Sequence, residues 1–188
     1  MFQTNEMEIS SEKLLAELTQ YVNQHLEFGN LLKNKPENIL NQRSNEKSWS
    51  ALECLEHLNY YGAFYTSEIQ TRMTNSSIPS SEVFKTGYWG NKFAQDMLPK
   101  EGMKTMNTFQ SKNPIHSKLD KNKVIDTFIQ QQKEFLILLK IAEKKNLTKI
   151  KTSLTVPILK FRLGDTFRFV IYHAERHVVQ AKKAMSSY

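Results

Sequence analysis

The sequence predicts an all-α protein, a four-helix bundle with one long crossover between its second and third helices. Three observations carry that expectation. Apolar residues recur at spacings of three and four over four long stretches, the period of a helix with one buried face. Glycine and proline number only 6 and 5 in 188 residues, too few to punctuate an all-β chain. Six of these eleven fall in one segment, residues 76–121: Pro79, Gly87, Gly90, Pro99, Gly102 and Pro114. That segment is too poor in apolar residues to form a second domain and long enough to carry the chain across a bundle.

The first helix is expected from Ser10 to Leu32, with Leu14, Leu18, Val22 and Leu26 as its stripe. Pro36 and the polar run Asn41 to Lys47 separate it from the second, which opens at Ser48-Trp49-Ser50. Ser50 followed three residues later by Glu53 is a capping-box pattern. Leu55, Leu58, Tyr65 and Ile69 give this helix a buried face, and Asn75-Ser76-Ser77 before Pro79 ends it. Trp49, Tyr60, Tyr61, Phe64 and Tyr65 are expected in the core. Within the crossover a short helix is expected near Tyr88 to Met97. The third helix runs from Asn122 to Lys145, with Ile125, Phe128, Phe135, Leu139 and Ala142 at helical spacing. A polar connection leads through Val156-Pro157 to a last helix starting at Asp165, placed as its N-cap directly after Gly164. Phe167, Ile171, Ala174, Val178, Ala181 and Met185 form its seam. No internal repeat is evident.

A chain of this length suits a single domain, residues 1–188, with a proper core. Its formal charge is +7 and 39% of its residues are hydrophobic. The lysines are dispersed and mixed with acids, as between Lys140 and Lys151, and no arginine-rich tract interleaves with aromatics. This is the pattern of a solvated basic surface, and nucleic-acid binding is not expected. No run approaches the roughly 18 apolar residues that span a membrane. Met1 to Ser10 has no apolar signal core, and Cys54, the single cysteine, rules out an internal disulfide framework. A reducing cytoplasm is the expected location.

The chemistry concentrates in histidines. His173 and His177 stand four residues apart in Tyr172-His173-Ala174-Glu175-Arg176-His177, so they share one helical face a turn apart. His57, in Glu53-Cys54-Leu55-Glu56-His57-Leu58, supplies a third imidazole from another helix. Three histidines from facing helices make a three-nitrogen metal site with an open coordination position, the arrangement of catalytic rather than closed structural sites. The competing reading is a set of buried or exposed histidines satisfied by hydrogen bonds alone. Two familiar motifs are excluded. The His-Glu-x-x-His pattern needs glutamate directly after the first histidine, and Glu175 is two residues on. The zinc-deaminase pattern needs a downstream Pro-Cys-x-x-Cys, which one cysteine cannot supply.

Cys54, three residues before His57, is either a fourth ligand or a small buried residue. His25 and His116 fall in no pattern and are expected at the surface. Glu53 either caps its helix or orients a ligand and pairs with Arg176. Arg176, between the two histidines of the last helix, either binds an anionic substrate or forms an ordinary interhelical ion pair.

The stretch from Lys47 to Leu58 resembles the Trp-Ser…Glu…His-Leu signature of the DinB-like superfamily. Leu163-Gly164-Asp165 followed by His173-Ala174-Glu175-Arg176-His177-Val178-Val179-Gln180 resembles its second signature. The resemblance covers nearly the whole chain and is loosest over Ser76 to Lys118. It implies up-down-down-up connectivity, often in a homodimer, and one divalent metal, zinc, nickel or another first-row ion, held by His57, His173 and His177. Some members of that superfamily are metal-dependent S-transferases that join a low-molecular-weight thiol, such as bacillithiol or mycothiol, to an electrophile. A small-molecule thiol and an electrophile are therefore the implied partners, with Arg162, Arg168 and Arg176 as candidates to attract a carboxylate on the thiol. A metal-dependent hydrolase on the same three histidines and a non-catalytic, metal-binding bundle in stress response are the alternatives.

Overall fold

The computed structural model describes residues 6–100, 108–156 and 158–186. Four long helices dominate it: α1 (Ser11–Lys33), α3 (Ala51–Thr74), α5 (Lys121–Ala142) and α6 (Leu163–Met185). Between them lie a one-turn helix, α2 (Glu37–Leu40), and the ten-residue α4 (Tyr88–Met97). Two antiparallel strand pairs complete the described chain. β1 (Glu8–Ser10) pairs with β2 (Val83–Lys85), and β3 (Lys151–Ser153) with β4 (Lys160–Arg162). No helix among the described residues is long and apolar enough to cross a membrane.

Local chemistry sets most helix starts. Ser10 accepts the Lys13 N–H at the start of α1, and Asp120 accepts the Lys123 N–H at the start of α5. The capping box of α3 is complete: Ser50 Oγ accepts the Glu53 N–H at 3.3 Å, and Glu53 Oε2 accepts the Ser50 N–H at 2.8 Å. The start of α6 differs from expectation. β4 runs straight into the helix, Arg162 occupies the cap position without a side-chain cap, and Asp165 lies within the first turn. Asp165 is fully buried and accepts the Gly87 N–H at 2.7 Å, so it fastens the start of α4 to α6 instead of capping its own helix. A Cβ at Gly90 would meet that carboxylate at 2.5 Å, which is why glycine stands where α4 crosses Asp165.

Packing is pairwise: α1 lies against α5 and α6, α3 lies against α5 and α6, and α4 covers part of α6. The core divides into two apolar clusters. One gathers Leu14, Leu18 and Val22 of α1 with Tyr65 and Ile69 of α3, Phe135 and Leu139 of α5, and Phe167 and Ile171 of α6. The other gathers Phe28 and Leu32 with Leu52, Leu55 and Leu58, then Ile125 and Phe128, then Ala174, Val178 and Ala181. Between them, each long helix places buried polar residues: His25 on α1, Asn59 on α3, Gln131 on α5 and His173 on α6.

That polar layer overturns two expectations. His25, expected at the surface, is fully buried and its Nε2 lies 2.9 Å from Glu175 Oε2 of α6. The stripe of α1 turns through His25 and Phe28, leaving Leu26 only partly buried. His116, by contrast, is exposed in a left-handed conformation with φ of 59°.

Candidate metal centre

The capping box gives α3 a fixed start, so His57 arrives two turns in on a defined face. On α6, His173 and His177 follow one another up the face turned toward α3. The three imidazoles are 2%, 9% and 7% exposed, so the group is closed off from bulk water although it consists of polar rings.

Their nitrogens converge. His57 Nε2 lies 3.3 Å from His173 Nε2, and His177 Nε2 lies 3.0 Å from the same atom. All three ligand atoms sit within 4.8 Å of one another. The opposite nitrogens are tied back: His57 Nδ1 is 2.7 Å from the Lys112 carbonyl, and His177 Nδ1 is 2.9 Å from Gln180 Oε1. Both partners are acceptors, so both Nδ1 atoms carry the proton and both Nε2 atoms present a lone pair. At least two lone pairs therefore face one another in a buried space, with the His173 Nε2 able to supply a proton to only one of them. That is repulsive unless a cation lies between. Bonds of about 2.0–2.1 Å at near-tetrahedral angles put ligand nitrogens about 3.3 Å apart, matching the spacing here. The donor set and its outer hydrogen bonds fit a divalent first-row ion.

Electrostatics keeps the rings in ligand form. Burial pushes His57 down to about 4, outweighing the Lys112 carbonyl that favours its protonation. Burial pushes His177 down to about 3, assisted by the neighbouring His57, and holds His173 well below its usual value, assisted by both other imidazoles. All three are neutral at physiological pH.

Aromatic rings line the group. Trp49 lies 4.6 Å from His57 and 5.5 Å from His177, centroid to centroid, and its indole N–H donates to Asn113 Oδ1 at 3.0 Å. Tyr61 lies 5.0 Å from His57 and 5.2 Å from His173. Both were expected in the core; both are only partly buried and wall the histidines, and Tyr60 and Phe64 are likewise only partly buried, whereas Tyr65 is a true core residue. The short 3₁₀ turn Gln110–Lys112 is thus one support of the group, holding His57 through Lys112, while the next residue, Asn113, holds Trp49. This role is not legible in the residues, because a backbone carbonyl carries no residue signature.

The remaining candidates separate cleanly. Cys54 is buried in the second apolar cluster and is not among the converging atoms, and burial pushes its thiol up, away from the thiolate a ligand must be. Glu53 does not reach Arg176. It receives both Arg43 Nη2 at 2.5 Å and Arg43 Nε at 3.0 Å, together with the His116 N–H. Burial opposes its ionisation, but Arg43 and the two backbone N–H groups outweigh it and hold the carboxyl below the usual range. Glu53 is therefore a structural anchor under the Lys112–Asn113 support. Arg162 is engaged with Glu6 and the carbonyls of Lys85 and Thr86, and Arg168 is buried against Asp165 and the Tyr172 ring. Arg176 is half-buried, donates to the Asp96 carbonyl at 3.2 Å, and its charge acts on both His173 and His177. Of the three arginines it is the one coupled to the group.

Three buried, neutral histidines converging from two helices of a mostly helical protein form a group compatible with metal binding. More particularly, the chain belongs to the DinB superfamily, whose family model matches residues 15–181. No curated protein and no solved structure matches it.

Proposed function

We propose that this protein is a metal-dependent transferase that activates a low-molecular-weight thiol for attack on an electrophile. The observation carrying the proposal is the convergence of His57, His173 and His177 Nε2 atoms with the Nδ1 atoms of His57 and His177 committed to acceptors. Among the described residues no cysteine, aspartate or glutamate joins the three histidines, which favours a site with room for an exogenous ligand over a closed structural one. Held by His57, His173 and His177, a divalent ion would supply the Lewis acidity that favours the thiolate form of a thiol at neutral pH. The chain's own residues then do the rest. The histidines stay neutral because they are buried, Trp49 and Tyr61 exclude water from the reacting atoms, and Arg176 orients an anionic group of the thiol. In the reaction the sulfur loses its proton and bonds to the electrophilic carbon, and the leaving group departs with the electrons of the broken bond.

The direction of the helices supports up-down-down-up connectivity. The second apolar cluster joins the C-terminal halves of α1 and α6 to the N-terminal halves of α3 and α5. A homodimer is part of the same proposal: Ile137 and Ile141, a turn apart on α5, are 60% and 40% exposed. Sedimentation should show a dimer that Ile137→Lys with Ile141→Lys converts to monomer; a wild-type monomer refutes this part.

The functional test uses protein loaded with cobalt(II). Addition of a small thiol should produce a sulfur-to-metal charge-transfer band, and a model alkyl halide should be consumed only when thiol and metal are both present. Turnover without thiol would support the hydrolase reading instead, and a charge-transfer band absent with every thiol would overturn the transferase.

A further inference from the structure

The three histidines are closed to water, so an ion or a thiol reaches them only if a covering element moves. α3 and α6 carry the histidines and are held by their own backbone ladders. The 3₁₀ turn Gln110–Lys112, with Asn113 after it, is a different kind of cover. Among the described residues it makes no backbone-to-backbone hydrogen bond to any helix or strand. Its backbone bonds, Lys112 N–H to the Phe109 carbonyl at 2.9 Å and Asn113 N–H to the Gln110 carbonyl at 3.2 Å, are its own. Three contacts with side chains tie it to the bundle. The Lys112 carbonyl accepts from His57 Nδ1 at 2.7 Å, and Asn113 Oδ1 accepts the Trp49 indole N–H at 3.0 Å. The Lys112 ammonium lies 5.6 Å and 5.9 Å from the Tyr60 and Tyr61 ring centroids.

One end of this segment is fixed. Pro114 is buried, and the His116 N–H is held by the buried Glu53 carboxylate. Ahead of that anchor, Phe109, Gln110, Ser111 and Asn113 are exposed. The turn is therefore free to swing as a unit, keeping its internal bonds and giving up only its ties to side chains. Segments with few buried contacts are those that open locally while the rest of a fold stays intact. Opening would uncover more than His57. Trp49, released from Asn113, is the ring that walls both His57 and His177.

We propose that Gln110–Asn113 is a gate over the histidines, which opens to admit the ion and is held shut once the ion is bound. The inference rests on the reading of the three histidines as a metal centre. The coupling is in His57. The Lys112 carbonyl holds only the tautomer with the proton on Nδ1. In metal-free protein the proton has a second place, on Nε2, 3.3 Å from His173 Nε2, and the bare Nδ1 then repels the Lys112 carbonyl. With Nε2 taken up as a ligand, that alternative is gone. Metal binding thus favours the shut gate, and by reciprocity the shut gate favours retention of metal.

The test is the rate of zinc uptake and release by the full-length protein, followed by stopped flow with a fluorescent zinc indicator. Asn113→Ala removes the tie to Trp49 from one side and Trp49→Phe removes it from the other. Both leave the Lys112 carbonyl in place, and thermal unfolding shows that each variant is folded. Each should speed both uptake and release about fivefold, the worth of one hydrogen bond. The double variant should be no faster than the faster single one, because both substitutions remove the same bond. A turn that merely props His57 would speed release and leave uptake unchanged, and that result would overturn the gate. Additive rates in the double variant would overturn it as well. A wild type that takes up no zinc would remove the metal reading and the gate with it, an outcome distinct from zinc that binds at rates the variants do not change.

Discussion

Gln180 offers a sharp test of how the site is held. Its Oε1 accepts from His177 Nδ1 at 2.9 Å and is the group that commits the His177 Nε2 lone pair to the centre. Gln180→Leu keeps the bulk and the helix but removes the acceptor. The lost hydrogen bond is worth about 1 kcal/mol, or roughly fivefold in affinity. Freeing the ring to rotate, and to place its proton on Nε2 instead, adds a comparable amount, so metal affinity should fall about 10- to 100-fold. Gln180→Glu should preserve or tighten binding, because a carboxylate is a stronger acceptor and makes the imidazole more basic. The assay is competition against a chromophoric chelator, with thermal unfolding of the metal-free variants to show that the fold is intact. A change below about threefold in Gln180→Leu would refute the argument that this hydrogen bond organises the ligand.

Metal-free protein should lose stability as pH falls from about 6.5, the unfolded value, toward about 4 and 3, where His57 and His177 titrate in the fold. Below the unfolded value the unfolded chain binds protons that the buried rings refuse, so acid favours unfolding. His57 alone contributes a loss of about 3 kcal/mol over that window. Asp165, raised by burial to about 6, works in the opposite sense between pH 6 and 4, since the folded state takes up its proton first. Melting temperature against pH should therefore fall in the metal-free protein, and a flat profile between pH 6.5 and 4 would contradict the buried, neutral triad. Glu53→Gln keeps an acceptor for Ser50 but breaks the pair with Arg43, and denaturant titration should register a loss of about 1–2 kcal/mol, with weakened metal binding as the Lys112–Asn113 turn loosens. Gly62→Ala drives a methyl group into the Gln131 carboxamide, which donates to the Asn59 carbonyl between α3 and α5, and a loss of about 1–3 kcal/mol is expected in the same measurement.

Much of this was legible in the residues. The Ser50–Glu53 box and the regular apolar spacing located the four long helices to within a few residues, since caps and helical period are local properties. His57, His173 and His177 were found from i, i+4 spacing plus one imidazole on another helix, and the fold brings them together. What the sequence hid depends on distant partners. The strand pairs are three residues long, too short for an alternating pattern to stand out. Asp165 looked like a cap because its partner, the Gly87 N–H, lies 78 residues away. His25 looked incidental because its partner, Glu175, is on the last helix, although its place on the stripe between Val22 and Phe28 was a signal for burial. Trp49 and Tyr61 could be assigned to the interior but not to the wall of a site, because periodicity separates inside from outside and nothing finer.

The central claim is that three histidines hold one metal ion. Metal content of protein purified without a histidine tag, beside the variant carrying His57→Ala, His173→Ala and His177→Ala, tests it most directly. The account predicts about one equivalent of a divalent first-row ion in the wild type and none in the variant, with both proteins folded. A wild type that carries no metal and takes up neither zinc nor nickel, or a variant that retains the full equivalent, would contradict it.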